Sequence, residues 1–258
     1  MFSNIISYLR FILKSKNQHG IHSPFVFDLT TKCFYKNLKY RHLNVFFKFK
    51  KELLSNTSKI QVTDFGAGSK IFSSNERKIS NITKHAGISN KRAKLLFKLI
   101  QYFKPDTILE IGTSLGLSTA ILALSNSNSK IITLEGCNET GNIATKMFKK
   151  YDLKNIQLLI GNFNTTLPKE LKNNQFDFIY FDGNHTKKAT IEYFEACLLS
   201  IHNNSVLLFD DIHWSKEMEE AWEEIKNHPK VTVTIDTFQW GFVFFRKEQQ
   251  KEHFTIRV

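Results

Sequence analysis

The sequence predicts an α/β protein with a seven-stranded, mainly parallel sheet that finishes in an antiparallel hairpin, preceded by a helical extension. Three observations carry this. From residue 107 onward, short apolar runs alternate with helical patterns, as βαβ units do. The stretch Thr107 to Thr119, T-I-L-E-I-G-T-S-L-G-L-S-T, passes from an apolar run through a glycine turn into a helix. The last two apolar runs, Val231 to Ile235 and Phe242 to Phe245, are separated only by Asp236 to Gly241, too short for a parallel crossover.

The elements follow in order. Phe2, Ile5, Ile6, Leu9, Ile12 and Leu13 recur at helical spacing, with Arg10 and Lys14 on other faces. This reads first as an amphipathic helix packed on its own protein, with membrane-surface binding left open. His19 to Pro24 breaks it, and Phe25 to Tyr35 and Leu43 to Leu54 are two further apolar-periodic segments. Lys59 to Phe65 reads as a short strand leading into Gly66-Ala67-Gly68-Ser69. Ile79 to His85 and Asn90 to Phe103 read as helices, with Asn90 as N-cap, and Pro105-Asp106 ends the second. The strands are then Ile108 to Ile111, Lys130 to Leu134, Ile156 to Ile160, Phe176 to Phe181, Ser205 to Phe209 and the final pair. Glu139 to Tyr151, Ala189 to Leu199 and Glu217 to Asn227 are the helices among them. The expected division is an extension over 1–87 and an α/β domain over 88–258.

At 258 residues and 41% hydrophobic, with no long uncharged apolar run, the chain reads as globular and without a transmembrane segment. The 36 Lys and Arg against 24 Asp and Glu leave a net charge of +12. The lysines are scattered rather than clustered, which argues against a nucleic-acid partner without closing that reading. Cys33, Cys137 and Cys197 show neither C-x-x-C spacing nor a pairing pattern and read as free thiols of a cytoplasmic protein. Oligomeric state stays open, a homo-oligomer included.

The glycine turn narrows the cofactor. Dinucleotide sites want G-x-G-x-x-G, and a P-loop wants Gly-Lys-Ser/Thr. Here the spacing is Gly112-x-x-x-Gly116, without lysine, and Glu110 precedes it. An acid in place of an anion-binding nest suits a ligand with a positive end, such as S-adenosylmethionine (SAM). At this point the chain resembles the class I SAM-dependent methyltransferases, whose first motif is E/D-x-G-x-x-x-G, on a Rossmann-like fold. Glu135, about 25 residues beyond Glu110, sits where an acid grips ribose hydroxyls in nucleotide folds. The resemblance adds Gly161-Asn162-Phe163 as the adenine contact, with Asn162 bonding the exocyclic amine and Phe163 packing on the ring. Glu110, Gly112, Thr113, Gly116, Ser118, Gly136 and Asp182 complete the cofactor set. A rival motif, Val62 to Ser69, also puts an acid and glycines at a strand end. Polar residues follow it, so it reads as a loop of the extension, structural or part of a lid.

Two strand ends carry the chemistry. Phe181 leads into Asp182-Gly183-Asn184-His185, and Phe209 into Asp210-Asp211-Ile212-His213-Trp214. In an open α/β sheet these carboxyl ends face the ligand crevice. Three carboxylates converging there call for a hard cation, Mg²⁺ best. The pattern is similar to metal-dependent O-methyltransferases, in part of the catechol type and more closely of the type that methylates macrolide sugar hydroxyls. That match implies Asp182, Asp210 and Asp211 as metal ligands and His185 as general base. The catechol type departs at both points, with Asp-Asn and a lysine base. His213 is the reserve base, and His213 and Trp214 are expected substrate contacts. The resemblance covers Ile88 to Arg246. The segment HGIHSPFVFDL looks like a group of uncharacterised bacterial methyltransferases. The sequence thus implies SAM-dependent methylation of a hydroxyl on a small molecule. An RNA-modifying enzyme and a non-catalytic SAM-binding protein are the alternatives.

Overall fold

A computed structural model describes residues 2–37, 39, 43–63, 65–66, 68 and 74–258, with side chains from Ile5 onward. The helices are α1 (Phe2–Lys14), α2 (Pro24–Leu29), α3 (Asn44–Ser55), α4 (Ile79–His85), α5 (Asn90–Phe103), α6 (Leu117–Ser125), α7 (Asn138–Lys150), α8 (Phe163–Asn173), α9 (Lys187–Cys197) and α10 (Lys216–Asn227). The strands are β1 (Lys59–Gln61), β2 (Glu76–Lys78), β3 (Thr107–Ile111), β4 (Lys130–Glu135), β5 (Ile156–Ile160), β6 (Phe178–Phe181), β7 (Val206–Asp210), β8 (Val233–Asp236), β9 (Trp240–Phe244) and β10 (Glu252–Thr255). The main sheet has eight strands in the order β10-β8-β9-β7-β6-β3-β4-β5. The chain divides into two compact units, Lys36–Leu167 and Met1–Tyr35 with Pro168–Val258.

In the first unit, β3, β4 and β5 are parallel, with Glu110 paired opposite Thr133 and Glu135 opposite Ile160. Residues Ile108 to Ile111 are all buried, because α-helical crossovers cover a parallel sheet on both faces. Helix α5 packs on α6, contributing Leu96, Leu99 and Ile100 to the core. Ser89, not Asn90, is the N-cap of α5: its side chain accepts from the Arg92 N–H. Among the described residues of the expected strand, Lys59–Gln61 pair, antiparallel with β2.

In the second unit, β6 and β7 are parallel, whereas β9 runs antiparallel to both β7 and β8. The expected hairpin is therefore present. Four consecutive buried residues in β6 and five in β7 are held by stacking of Phe181 on Phe209, with centroids 4.2 Å apart. Helices α9 and α10 pack together. The sheet has eight strands rather than seven because β10 adds in parallel beside β8. Its polar Glu252-His253 start hides it from an apolar-run reading. Helix α8 was also unanticipated, since Pro168 lies inside it and an internal proline costs a helix about 3 kcal/mol.

Helix α1 departs from expectation in its orientation. Ser7 and Phe11 are its buried residues, while Ile5, Ile6, Leu9 and Leu13 are exposed. Among the described residues no helix is long and apolar enough to cross a membrane.

Candidate functional site

The glycine turn after β3 is shaped by backbone that side chains disfavour. Gly112 has φ +109° and Gly116 +80°, and Ser114 between them also lies at positive φ, +49°. The N–H groups of Gly112 and Thr113 share the Leu134 carbonyl, at 3.0 and 3.1 Å, which ties the turn to β4. Gly116 caps α6. A Cβ there would come within 2.6 Å of the Phe148 ring, so the φ and the space both demand glycine.

Glu110 is fully buried beneath this turn. Its Oε2 accepts from the hydroxyls of Thr119 on α6 and Thr133 on β4, the latter at 2.6 Å. Thr133 gives its only proton to Glu110, so the 2.6 Å contact between the Thr113 and Thr133 hydroxyls has Thr113 as donor. Oε1 has no hydrogen-bond partner among the described residues. Burial pushes the Glu110 carboxyl up to about 7; the hydroxyls of Thr119, Thr133 and Ser118 oppose that shift only in part. Thr119 and Thr133 were not singled out in the sequence. Thr133 lies between the apolar residues of β4, and only the pairing of β3 with β4 sets it opposite Glu110.

Glu135 ends β4 and clamps the turn. Its Oε2 accepts from the Ser114 N–H at 2.6 Å and its Oε1 from the Cys137 N–H at 2.9 Å. Burial raises its pKa, with these N–H bonds pulling back. The Thr140 side chain and the Gly136 N–H pull the same way. Gly136 permits a close approach: a Cβ there would sit 2.8 Å from the Phe65 ring. The Thr63 N–H also reaches the Cys137 sulfur, at 3.4 Å. Part of the rival glycine loop therefore lies against the end of β4, while its Asp64, Ala67 and Ser69 fall outside the described residues. Asn162 caps α8 through an Asn164 N–H to Oδ1 bond of 2.8 Å, and Phe163 opens that helix half-buried. Ser118 is buried in the first turn of α6.

The second unit holds the acids and histidines. Asp182 and His185 are half-buried on the loop after β6. That loop turns at Asn184 (φ +51°) before Thr186 caps α9. The His185 and Trp214 rings lie 6.1 Å apart, so the loops after β6 and β7 meet. Asp210 is 4% exposed. Its Oδ2 accepts from the Tyr180 hydroxyl at 3.2 Å and its Oδ1 from the Asp211 N–H at 2.7 Å. Asp211 sits at φ +55° and turns the chain out of β7. The structure does not show the expected metal site of Asp182, Asp210 and Asp211. Among the described residues no three His, Cys, Asp or Glu side chains are grouped to hold a metal ion.

His213 sits between two carboxylates, with Nδ1 3.0 Å from Glu219 and Nε2 2.9 Å from Asp236. Its ring stacks on Phe238 at 5.2 Å. Burial favours the neutral ring, but the hydrogen bonds and charge of Asp236 and Glu219 outweigh it and raise the pKa. Both of its ring nitrogens face carboxylates of the protein, and the reserve role assigned to His213 stays untested. Sequence spacing carried no signal for this triad, whose members lie on three separate elements.

Residues 109–212, from the glycine turn through the acidic pair, match the family model described as "Methyltransferase domain". A protein-L-isoaspartate O-methyltransferase of Thermosipho melanesiensis is 35% identical over 69 residues, or 26% of this chain. The chain spans only 35% of that relative's length. The SAH-bound Podospora anserina methyltransferase PaMTH1 superposes with a TM-score of 0.57 at 18% identity, over 63% of this chain and 81% of that one. The Bacillus cereus O-methyltransferase in complex with SAH gives 0.52 at 24%, over 62% and 81%. The resemblance read from the glycine turn is borne out: residues 109–212 carry the methyltransferase-domain pattern, on the fold of SAH-bound methyltransferase structures.

Proposed function

We propose that the chain is a SAM-dependent O-methyltransferase acting on a hydroxyl of a small molecule. The observation that carries this is the Glu110–Glu135 arrangement around the Gly112–Gly116 turn, inside the segment that matches the methyltransferase domain. In this reading Glu135 accepts the ribose hydroxyls and Gly112, Thr113, Gly116 and Gly136 give the cofactor backbone to lie on. Ser118 lines the site at the start of α6, and Asn162 and Phe163 hold the adenine. The buried Glu110 braces the turn, its unpartnered Oε1 favouring the positive methionine end of SAM. Methyl transfer from a sulfonium is an in-line displacement: the acceptor oxygen bonds the methyl carbon as the carbon–sulfur bond breaks, leaving a neutral thioether. His185 takes the hydroxyl proton as general base. Asp182 orients the acceptor, and Trp214 beside His185 gives its ring a face to pack on. No step is routed through Mg²⁺, which is not shown at Asp182, Asp210 and Asp211.

The test is SAH production from SAM over a panel of hydroxylated small molecules. Turnover on at least one acceptor, lost in His185→Ala and Asp182→Ala, is the expected result. Turnover only on RNA, or none on any acceptor despite SAM binding, would sink the small-molecule reading.

A further inference from the structure

Helix α1 turns its apolar side away from the protein. At about 100° per residue, Ile5, Leu9, Leu13 and Ile6 fall within an arc of roughly 100°. They are 52%, 57%, 86% and 49% exposed, values that place all four in solvent. The opposite side is the anchored one. Ser7 and Phe11 are buried there, and Phe238 meets Phe11 at 5.5 Å and Tyr8 at 4.9 Å. Exposed apolar side chains grouped on one helix face call for a cover.

Charge indicates which cover. The first acid in the chain is Asp28, so α1 and the segment after it carry only cations, Arg10, Lys14 and Lys16. Arg10 borders the apolar arc and Lys14 lies further round the helix; both are exposed, as is Lys16. A second copy paired about a two-fold axis would bring α1 against α1, juxtaposing these cations with no acid on the helix to neutralise them. An apolar strip with Arg10 at one edge, further cations near it and no acid on the helix suits a surface that is apolar beneath and anionic at its face.

We propose that α1 docks this protein on an anionic lipid bilayer. Ile5, Ile6, Leu9 and Leu13 sink into the acyl boundary and Arg10, Lys14 and Lys16 contact lipid phosphates. The rest of the chain is held on the membrane surface through the Phe238 contact. This inference is independent of the catalytic reading.

The test is co-sedimentation of the full chain with phosphatidylcholine vesicles, with and without phosphatidylserine. Binding that needs phosphatidylserine and weakens with salt is expected. Leu9→Glu with Leu13→Glu should lower the partition coefficient at least about tenfold, and Arg10→Glu with Lys14→Glu by a similar factor. These positions are exposed, and circular dichroism melts establish that the variants fold. The proposal is overturned if the chain stays in the supernatant with phosphatidylserine vesicles. It is also overturned if the leucine variant pellets like the parent, since the net charge of +12 would then suffice. Concentration-dependent dimers in sedimentation velocity, lost in the leucine variant, would assign the face to a second copy instead.

Discussion

Replacing Glu110 with glutamine gives a perturbation whose pH dependence follows from the structure. The folded chain holds this carboxyl at about 7 against an ordinary 4.5. Between those values the folded state binds a proton that the unfolded state has released, so stability falls as pH rises through the window. The contribution is fully present below pH 4.5 and gone above about 7. At 1.36 kcal/mol per unit, the loss is about 3 kcal/mol. Glutamine keeps the shape and can accept from Thr119 and Thr133, but it does not titrate. Its amide meets the unpartnered side where Oε1 lay, a cost of about 1–3 kcal/mol that does not vary with pH. Urea unfolding of both proteins from pH 4.5 to 8 isolates the effect, because every other titrating group is common to them. The parent's stability relative to Glu110→Gln should drop by about 3 kcal/mol across the window. A flat difference would refute the argument that burial outweighs the hydroxyl bonds.

Three further outcomes follow. Gly116→Ala places a Cβ against Phe148 at a φ that alanine disfavours, and should cost about 2–4 kcal/mol in chemical denaturation. Asp236→Asn removes one of the two carboxylates that raise the His213 pKa, so an NMR titration should show that pKa fall. Stability from this contact is present below the ordinary histidine value and lost as pH rises through the raised one. The variant should therefore cost about 1–2 kcal/mol at pH 6 and less at pH 9. His185→Ala should lower kcat by roughly 10²–10⁴-fold while leaving the SAM dissociation constant unchanged. A matching loss of SAM affinity would move His185 out of the base role.

The strands from β3 to β9 were legible because each is a near-continuous apolar run, as a sheet covered on both faces requires. Strand β10 was not, because an edge strand with polar Glu252 and His253 carries no such run. Helix α8 was masked by Pro168 and by the Asn and Thr residues of its first turn. In the candidate site, Glu110 and Glu135 were visible from their spacing to the glycine turn. The Thr113–Thr133–Glu110–Thr119 chain appears only once β3 and β4 are in register. The His213–Glu219–Asp236 triad draws on three elements and leaves no local trace. For α1, the periodicity was plain, but a period says which residues share a face and not which face the protein covers.

The most direct measurement of the central claim is calorimetric titration of the full chain with SAM. Saturable binding at one site is the expected result, weakened at least about tenfold when Glu135→Ala removes the clamp on the glycine turn and the ribose acceptor together. No binding at millimolar SAM would contradict the account.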